Sequence, residues 1–144
     1  MKLALWLAVS LAYAMPVVAG DADPRVLVEF PEPMRQHMLS NMRDHLLAVT
    51  EIQQALAAGA FDSAANIAEQ RLGMSSLNAH GASHMAPFMP TAMQEIGTRM
   101  HKAASEFALA AQEAAVDGDL GRPIGALSRI TQQCVACHAD YRVR

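Results

Sequence analysis

Two cysteines near the C-terminus of this 144-residue chain stand three positions apart, and a histidine directly follows the second one. Cys134, Cys137 and His138 form a C-x-x-C-H motif, and the sequence contains no other cysteine. Such a pair can be a redox disulfide, half of a zinc site, or the attachment point of a covalent haem. On a helix, spacings of three and four residues would place the three side chains on one face.

Two of these three uses fit the rest of the sequence poorly. A structural zinc site needs four ligands, and no second cysteine pair is present to complete one. A redox pair of the thioredoxin type belongs at a strand-to-helix turn, and the sequence shows no strand pattern. The motif therefore predicts one covalent haem c, with thioethers at both cysteines and His138 as the proximal iron ligand.

The first twenty residues have the layout of a secretory signal peptide. Lys2 precedes an apolar run over residues 3–12, which is too short to span a membrane comfortably, and small residues follow. Positions after Ala14 and after Ala19 both satisfy the small-x-small cleavage rule. We expect export to the periplasm, cleavage at one of these two positions, and no stable membrane insertion afterwards.

The remaining chain, residues 21–144, has the size of a single domain. Removing residues 1–19 removes one cation, Lys2, and changes the formal net charge from −3 to −4. The charged residues are spread along the chain without a basic stripe, which argues against nucleic acid or an anionic membrane as the main partner. The sequence also lacks a Ser/His/Asp set, paired buried carboxylates or a phosphate loop, so we do not expect an enzyme.

The elements that must position the motif are predicted to be helices. Alanine, leucine and methionine dominate, and aromatic residues make up only 5% of the chain. Apolar residues recur at three- and four-residue spacing in four segments: about Glu32 to Ala58, from behind Asp62 to near Gly73, Thr91 to Gly118, and from after Pro123 through Cys137 to Tyr141. Each helix is apolar on one side, which predicts an all-α, antiparallel four-helix bundle.

Local signals refine this prediction. Asp62 is expected to cap the second helix, and Thr91 with Gln94 forms an expected capping box for the third. Residues 74–90, which we call the crossing segment, contain Gly81 and two prolines, so this segment is expected to be a longer connection.

In the first helix the predicted apolar stripe has histidines beside it. It runs through Met34, Met38, Met42, Leu46, Val49, Gln53 and Leu56. His37 and His45 flank it; both could also bind the haem iron, but their place beside the stripe favours rim or solvent positions. His101 is expected at the edge of the bundle.

An exported four-helix chain of this size that ends in C-x-x-C-H-x-x-Tyr-Arg resembles the class II c-type cytochromes, the cytochrome c-prime group. The pair Arg35-Gln36 and the Gly-x-Phe-Asp run from Gly59 to Asp62 are similar as well. The resemblance extends over the whole exported chain, and it implies a haem-binding four-helix bundle. Members of the group are often homodimers that associate through their first two helices, so the resemblance also implies a homodimer.

The resemblance further implies that Arg142, four residues after the haem histidine, lies near the proximal pocket. A guanidinium one turn beyond the ligand would offset the haem propionates and would suit a helix C-terminus. The alternative is a solvated cation at the end of a helix, where cations are favoured in any case.

The resemblance places the distal residue on the first helix. Met42, followed by a basic residue, matches the low-spin members; Met38 is the second candidate, and Met34 the third. If Arg35-Gln36 sets the register instead, Leu39 takes the position that is apolar in gas-binding members. Methionine ligation predicts a carrier of single electrons between redox partner proteins, whereas an apolar residue predicts an open iron that binds NO or CO. Methionine at helical spacing is also common core filling.

A separate pattern lies in the crossing segment. His80, His84, Met85 and Met89 offer the imidazole and thioether ligands that copper prefers, which makes copper binding a distant alternative. The simpler interpretation is a lid over one edge of the haem, with Phe88 and Met89 packing inward.

Overall fold

The computed structural model describes residues 23–144, and this part of the chain is mostly helical, as predicted for an all-α protein. The predicted signal peptide over residues 1–20, with both cleavage positions, lies outside the described residues. None of the described helices combines the length and the hydropathy that crossing a membrane requires.

Residues 23–144 form five α-helices and two short strands. In chain order they are β1 (Val26–Val28), α1 (Glu32–Ala57), α2 (Phe61–Arg71), α3 (Ala82–Met85), α4 (Thr91–Asp117), α5 (Gly121–Asp140) and β2 (Tyr141–Val143). The four long helices correspond to the four predicted segments. The additional helix α3 lies within the crossing segment, between single-turn 3₁₀ helices at Met74–Ser76 and Ala86–Phe88.

The strands correct the expectation that the sequence contains none. β1 and β2 pair in parallel, with Val26 opposite Tyr141 and Val28 opposite Val143. Arg142 therefore lies opposite Leu27 in a strand and not on a helix C-terminus, because α5 ends at Asp140. A three-residue strand is too short to show the alternation of apolar and polar residues by which strands are predicted.

The predicted side-chain caps are also wrong. Among the described residues no side-chain hydrogen bond caps the start of α2 or of α4. Gln94 instead donates two hydrogen bonds of 2.9 Å, to the carbonyl oxygens of Ala86 and Met89. This side chain ties the end of the crossing segment to the first turn of α4.

The larger core cluster lies where α1 packs on α2, α2 on α4 and α4 on α5. Its most deeply buried large side chains are Ile52, Leu72, Phe107 and Ile130. In α1 Leu56 is buried and Val49 packs against this cluster, as predicted, but Leu46 is 70% exposed, and Ala48 and Ile52 occupy the buried positions instead. The reason is that small alanines let the helices approach closely and can occupy buried positions that a search for large apolar residues overlooks.

A smaller apolar cluster lies at the end of the molecule where the two strands meet α1 and the crossing segment. Its buried members are Val28, Phe30, Met38, Met85 and Met93. Partly buried side chains pack against it: Met34, Met42, Met89, Cys137, Tyr141 and Val143. This cluster brings the C-terminal motif next to the methionines of α1.

Candidate functional site

A cavity of about 300 Å³ opens between α1, the crossing segment and α4, and Cys137 of α5 forms part of its wall. The lining is mainly thioether and aliphatic, and it includes six methionines: Met38, Met42, Met85, Met89, Met93 and Met100. Its volume is at the lower end of the range for small-molecule sites. Methionine side chains are flexible and polarisable, so this lining is able to re-pack around a larger group.

The two cysteines of the motif lie on either side of the boundary between the core clusters. Cys137 lines the cavity, whereas Cys134, one turn earlier, packs against the larger cluster and donates a weak hydrogen bond of 3.6 Å to the carbonyl oxygen of Ile130. Both are free thiols. Burial raises the pKa of each thiol, so both are protonated and uncharged near neutral pH.

His138 is exposed and is not among the residues that line the cavity. Its carbonyl oxygen accepts a hydrogen bond of 3.3 Å from Nη1 of Arg25. A haem attached at the two cysteines suits the thiols and the methionine-rich wall. It requires in addition that the side chain of His138 turns from solvent towards the cavity.

The distal candidates separate into two pairs. Met38 and Met42 both line the cavity; Met38 is 8% exposed and Met42 is half-buried. Met34 packs against the smaller cluster, and Leu39 is half-buried, but neither is among the lining residues. The methionine candidates on the cavity wall are therefore Met42, the preferred one, and Met38. His45, which could also bind the iron, lines the same cavity.

Arg142 is half-buried on β2, and its Nε lies 3.7 Å from a carboxylate oxygen of Asp23. Asp23 also accepts hydrogen bonds from the guanidinium of Arg25, the shortest at 2.6 Å. The hydrogen bonds from Arg25, with the nearby charge of Arg142, lower the pKa of Asp23 from 3.8 to about 2. Arg142 thus helps to hold the start of the described chain to its end, and its predicted role at the haem remains a prediction.

A cluster of three histidines, His45, His80 and His101, forms another part of the cavity wall. The ring centroids of His45 and His80 are 4.7 Å apart; His101 lies 5.4 Å from His80 and 6.1 Å from His45. His45 is half-buried, whereas the expected edge position of His101 is wrong, because His101 is only 8% exposed. The three residues come from α1, the crossing segment and α4, so no sequence spacing could have revealed the cluster.

Hydrogen bonds orient two of these rings. Nδ1 of His101 donates to the carbonyl oxygen of Leu72 at 2.7 Å. Nδ1 of His80 lies 3.3 Å from Oγ of Ser76, and that hydroxyl donates to the carbonyl oxygen of Gly73 at 2.7 Å. Because the hydroxyl proton of Ser76 is used in this way, Nδ1 of His80 acts as the donor, and Nε2 keeps its lone pair.

The environment keeps the cluster uncharged. Burial, aided by the neighbouring rings, lowers the pKa of His45 from 6.5 to about 4. Burial also lowers the pKa values of His80 and His101. All three imidazoles are therefore neutral near pH 7, so each retains a ring nitrogen with a free lone pair.

Three of the four predicted copper ligands line the cavity, and the fourth does not. His80 and the thioethers of Met85 and Met89 line the cavity, but His84 is exposed and lies outside it. Across residues 23–144, no three or more side chains of His, Cys, Asp or Glu already surround a single metal position.

Comparisons with known proteins do not identify a family for this chain, so its function is inferred from the site. No family model matches the chain, and neither the curated proteins nor the solved structures contain a significant match.

Proposed function

We propose that this chain is an exported, periplasmic, monohaem c-type cytochrome that carries single electrons between redox partner proteins. The observation that supports this most strongly is the position of the C-x-x-C-H motif beside the methionine-lined cavity. Cys137 forms part of its wall, and Met38 and Met42 face the same space from α1. We further propose that the long helices form an antiparallel four-helix bundle of the class II cytochrome type.

In this proposal each residue has a defined task. Cys134 and Cys137 would hold the haem by thioether bonds, and His138 as the proximal ligand and Met42 as the distal ligand would bind its iron. When bound, the haem supplies a one-electron iron couple. The methionines and aliphatic side chains of the cavity wall would pack against the haem. Two protein ligands would limit rearrangement when the iron changes its charge, which suits electron transfer.

The surroundings of the thiols support covalent attachment. Both cysteines are free, are separated by one helical turn and have no other cysteine with which to pair. A disulfide between residues three apart would close almost no loop and would stabilise the fold little. Haem attachment therefore accounts for the pair better than a structural bridge does.

The alternative is an iron without a distal protein ligand that binds NO or CO. The apolar wall of the cavity favours this alternative where no methionine reaches the iron, since an uncharged gas needs no polar partner. The two functions differ in one observable property, the occupancy of the sixth coordination position.

The test is an optical spectrum of the full-length chain, expressed with its leader in a host that attaches haem c. The proposal expects a covalently bound haem, sharp split bands on reduction, and little or no reaction with CO. A broad high-spin spectrum that changes at once with CO would establish the gas-binding alternative. A soluble, folded chain without haem would overturn both.

The role of the motif is tested by replacing both thiols in the same host. The double variant Cys134→Ser/Cys137→Ser should lose covalent haem, as measured after acid–acetone extraction. Exposed Val135 provides the matched control within the same motif, and Val135→Ala should retain the haem.

A further inference from the structure

The histidine cluster is not used by the proposed function, although it shares the cavity with it. Three elements far apart in the chain each contribute one imidazole to it, from α1, the crossing segment and α4. Burying several imidazoles together is unfavourable, because the rings lose hydration that they would retain in solvent. A ligand that binds all three would offset this cost.

Two of the three rings already have the spacing of metal ligands. Nε2 of His45 and Nε2 of His80 are 3.4 Å apart. Two zinc–nitrogen bonds of about 2.0–2.1 Å at the tetrahedral angle place the nitrogens about 3.3–3.4 Å apart. Without metal, a proton on Nε2 of His45 satisfies this contact, since Nε2 of His80 carries the lone pair. For a metal ion to bind between the two nitrogens, the proton of His45 would move from Nε2 to Nδ1, which leaves the ring neutral and frees the Nε2 lone pair.

The third ring is held in the manner of a metal ligand as well. Metal-binding histidines almost always donate their other N–H to a carbonyl or another acceptor, which sets the tautomer. His101 does so with the carbonyl of Leu72, and His80 does so with Ser76. Because Nδ1 of His101 carries the proton, the lone pair that can bind a metal is on Nε2. A shift of this ring towards the other two would complete the site.

We propose that His45, His80 and His101 bind one divalent transition-metal ion of the kind that prefers imidazole, zinc or copper. Three neutral nitrogen ligands leave a fourth position facing the cavity, as in zinc sites with three histidines. This site differs from the ligand set predicted in the crossing segment, since it includes His45 and His101 and omits His84. It does not depend on haem.

The test is a titration of the purified, chelator-treated full chain with Zn²⁺ and, separately, with Cu²⁺, followed by calorimetry and thermal unfolding. The proposal expects one ion per chain and a rise in Tm that grows with metal concentration. Mg²⁺, which prefers oxygen ligands, should have no such effect. Cu²⁺ binds imidazole sites more tightly than Zn²⁺ does in general, so the stoichiometry and not the relative affinity is the test. Failure of both ions to bind at one equivalent would overturn the proposal.

Substitutions locate the ligands. His45→Ala should weaken binding by more than about 100-fold, and Ser76→Ala, which removes only the partner of His80, by about 10-fold. His84→Ala is the matched control in the same segment and should leave the affinity unchanged. Helical content by circular dichroism verifies that each variant folds.

A different pattern would contradict the ligand assignment. If His84→Ala weakened binding and His45→Ala did not, the metal would belong to the crossing segment alone. With Cu²⁺, electron paramagnetic resonance counts the coordinated imidazole nitrogens, and fewer than three would also overturn the proposal. If the chain from a host that attaches haem c carries no haem but still binds zinc, the proposed cytochrome function is rejected and the metal site stands.

Discussion

Met38 and Met42 differ by one turn of α1 and by how deeply they are buried. Met38 belongs to the smaller core cluster, whereas Met42 packs against it from the side. A thioether that ligates iron must leave the packing of its neighbours and approach the haem. The half-buried side chain of Met42 loses fewer contacts in doing so, which supports it as the distal ligand.

At this scale we predict that Met42→Ala and Met38→Ala affect different properties. Met42→Ala should remove the methionine–iron charge-transfer band and permit rapid CO binding. Met38→Ala should leave the iron six-coordinate but lower the free energy of unfolding by about 2–5 kcal/mol, because a buried side chain is truncated. Optical spectra and urea unfolding measure the two effects. If Met38→Ala removed the charge-transfer band and Met42→Ala did not, Met38 would be the ligand.

The two strands connect the beginning and the end of the described chain beside the motif. Their pairing is reinforced by Asp23, which binds Arg25 and lies near Arg142, while Arg25 also reaches the carbonyl oxygen of His138. These contacts hold the residues after α5 against β1. They limit the freedom of the chain at the proposed proximal ligand and in the residues that follow it.

The lowered pKa of Asp23 predicts that the stability of the paired strands decreases in acid. The pKa of this carboxyl is lowered on folding, so the charged carboxylate stabilises the folded state above pH 3.8, and this contribution is lost as the pH falls towards 2. Asp23→Asn should remove that part of the dependence and lower Tm slightly at neutral pH. Thermal unfolding followed across this range measures the difference, and parallel curves for both proteins would contradict the prediction.

In the molecule as a whole, the two core clusters differ in composition and therefore in adaptability. The larger one is rich in alanine and fills the space between α1, α2, α4 and α5 with small side chains. The smaller one is rich in methionine and adjoins the cavity. Close packing makes the first resistant to change, whereas flexible thioethers let the second adjust to a bound group.

Substitutions in α4 test whether the larger cluster is close-packed and resistant to change. The side chain of Phe107 is fully buried in the larger cluster, so Phe107→Ala should lower the free energy of unfolding by about 3–5 kcal/mol. Leu109, two positions along the same helix, is 62% exposed, and Leu109→Ala should change it by less than about 0.5 kcal/mol. Urea unfolding compares the two. The haem spectrum of both variants should match that of the unaltered protein.

The sequence by itself predicted the four long helices because their signals are local. The three- and four-residue periodicity marks each of them, and α1 and α4 end within a residue of the predicted stops. Gly118 ends α4 in the left-handed conformation, with φ of 75°, which glycine adopts at little cost. The C-x-x-C-H motif is local as well, so its proposed chemistry follows from residue types and their spacing alone.

Only the tertiary structure decided which distant residues meet. It paired Val26–Val28 with Tyr141–Val143, moved Arg142 from a helix end to a strand, and assembled His45, His80 and His101. It also exchanged Leu46 for Ala48 in the buried stripe. Sequence spacing specifies the face of a single helix, but contacts between separate elements depend on how those helices rotate and pack, and small side chains such as alanine determine that packing.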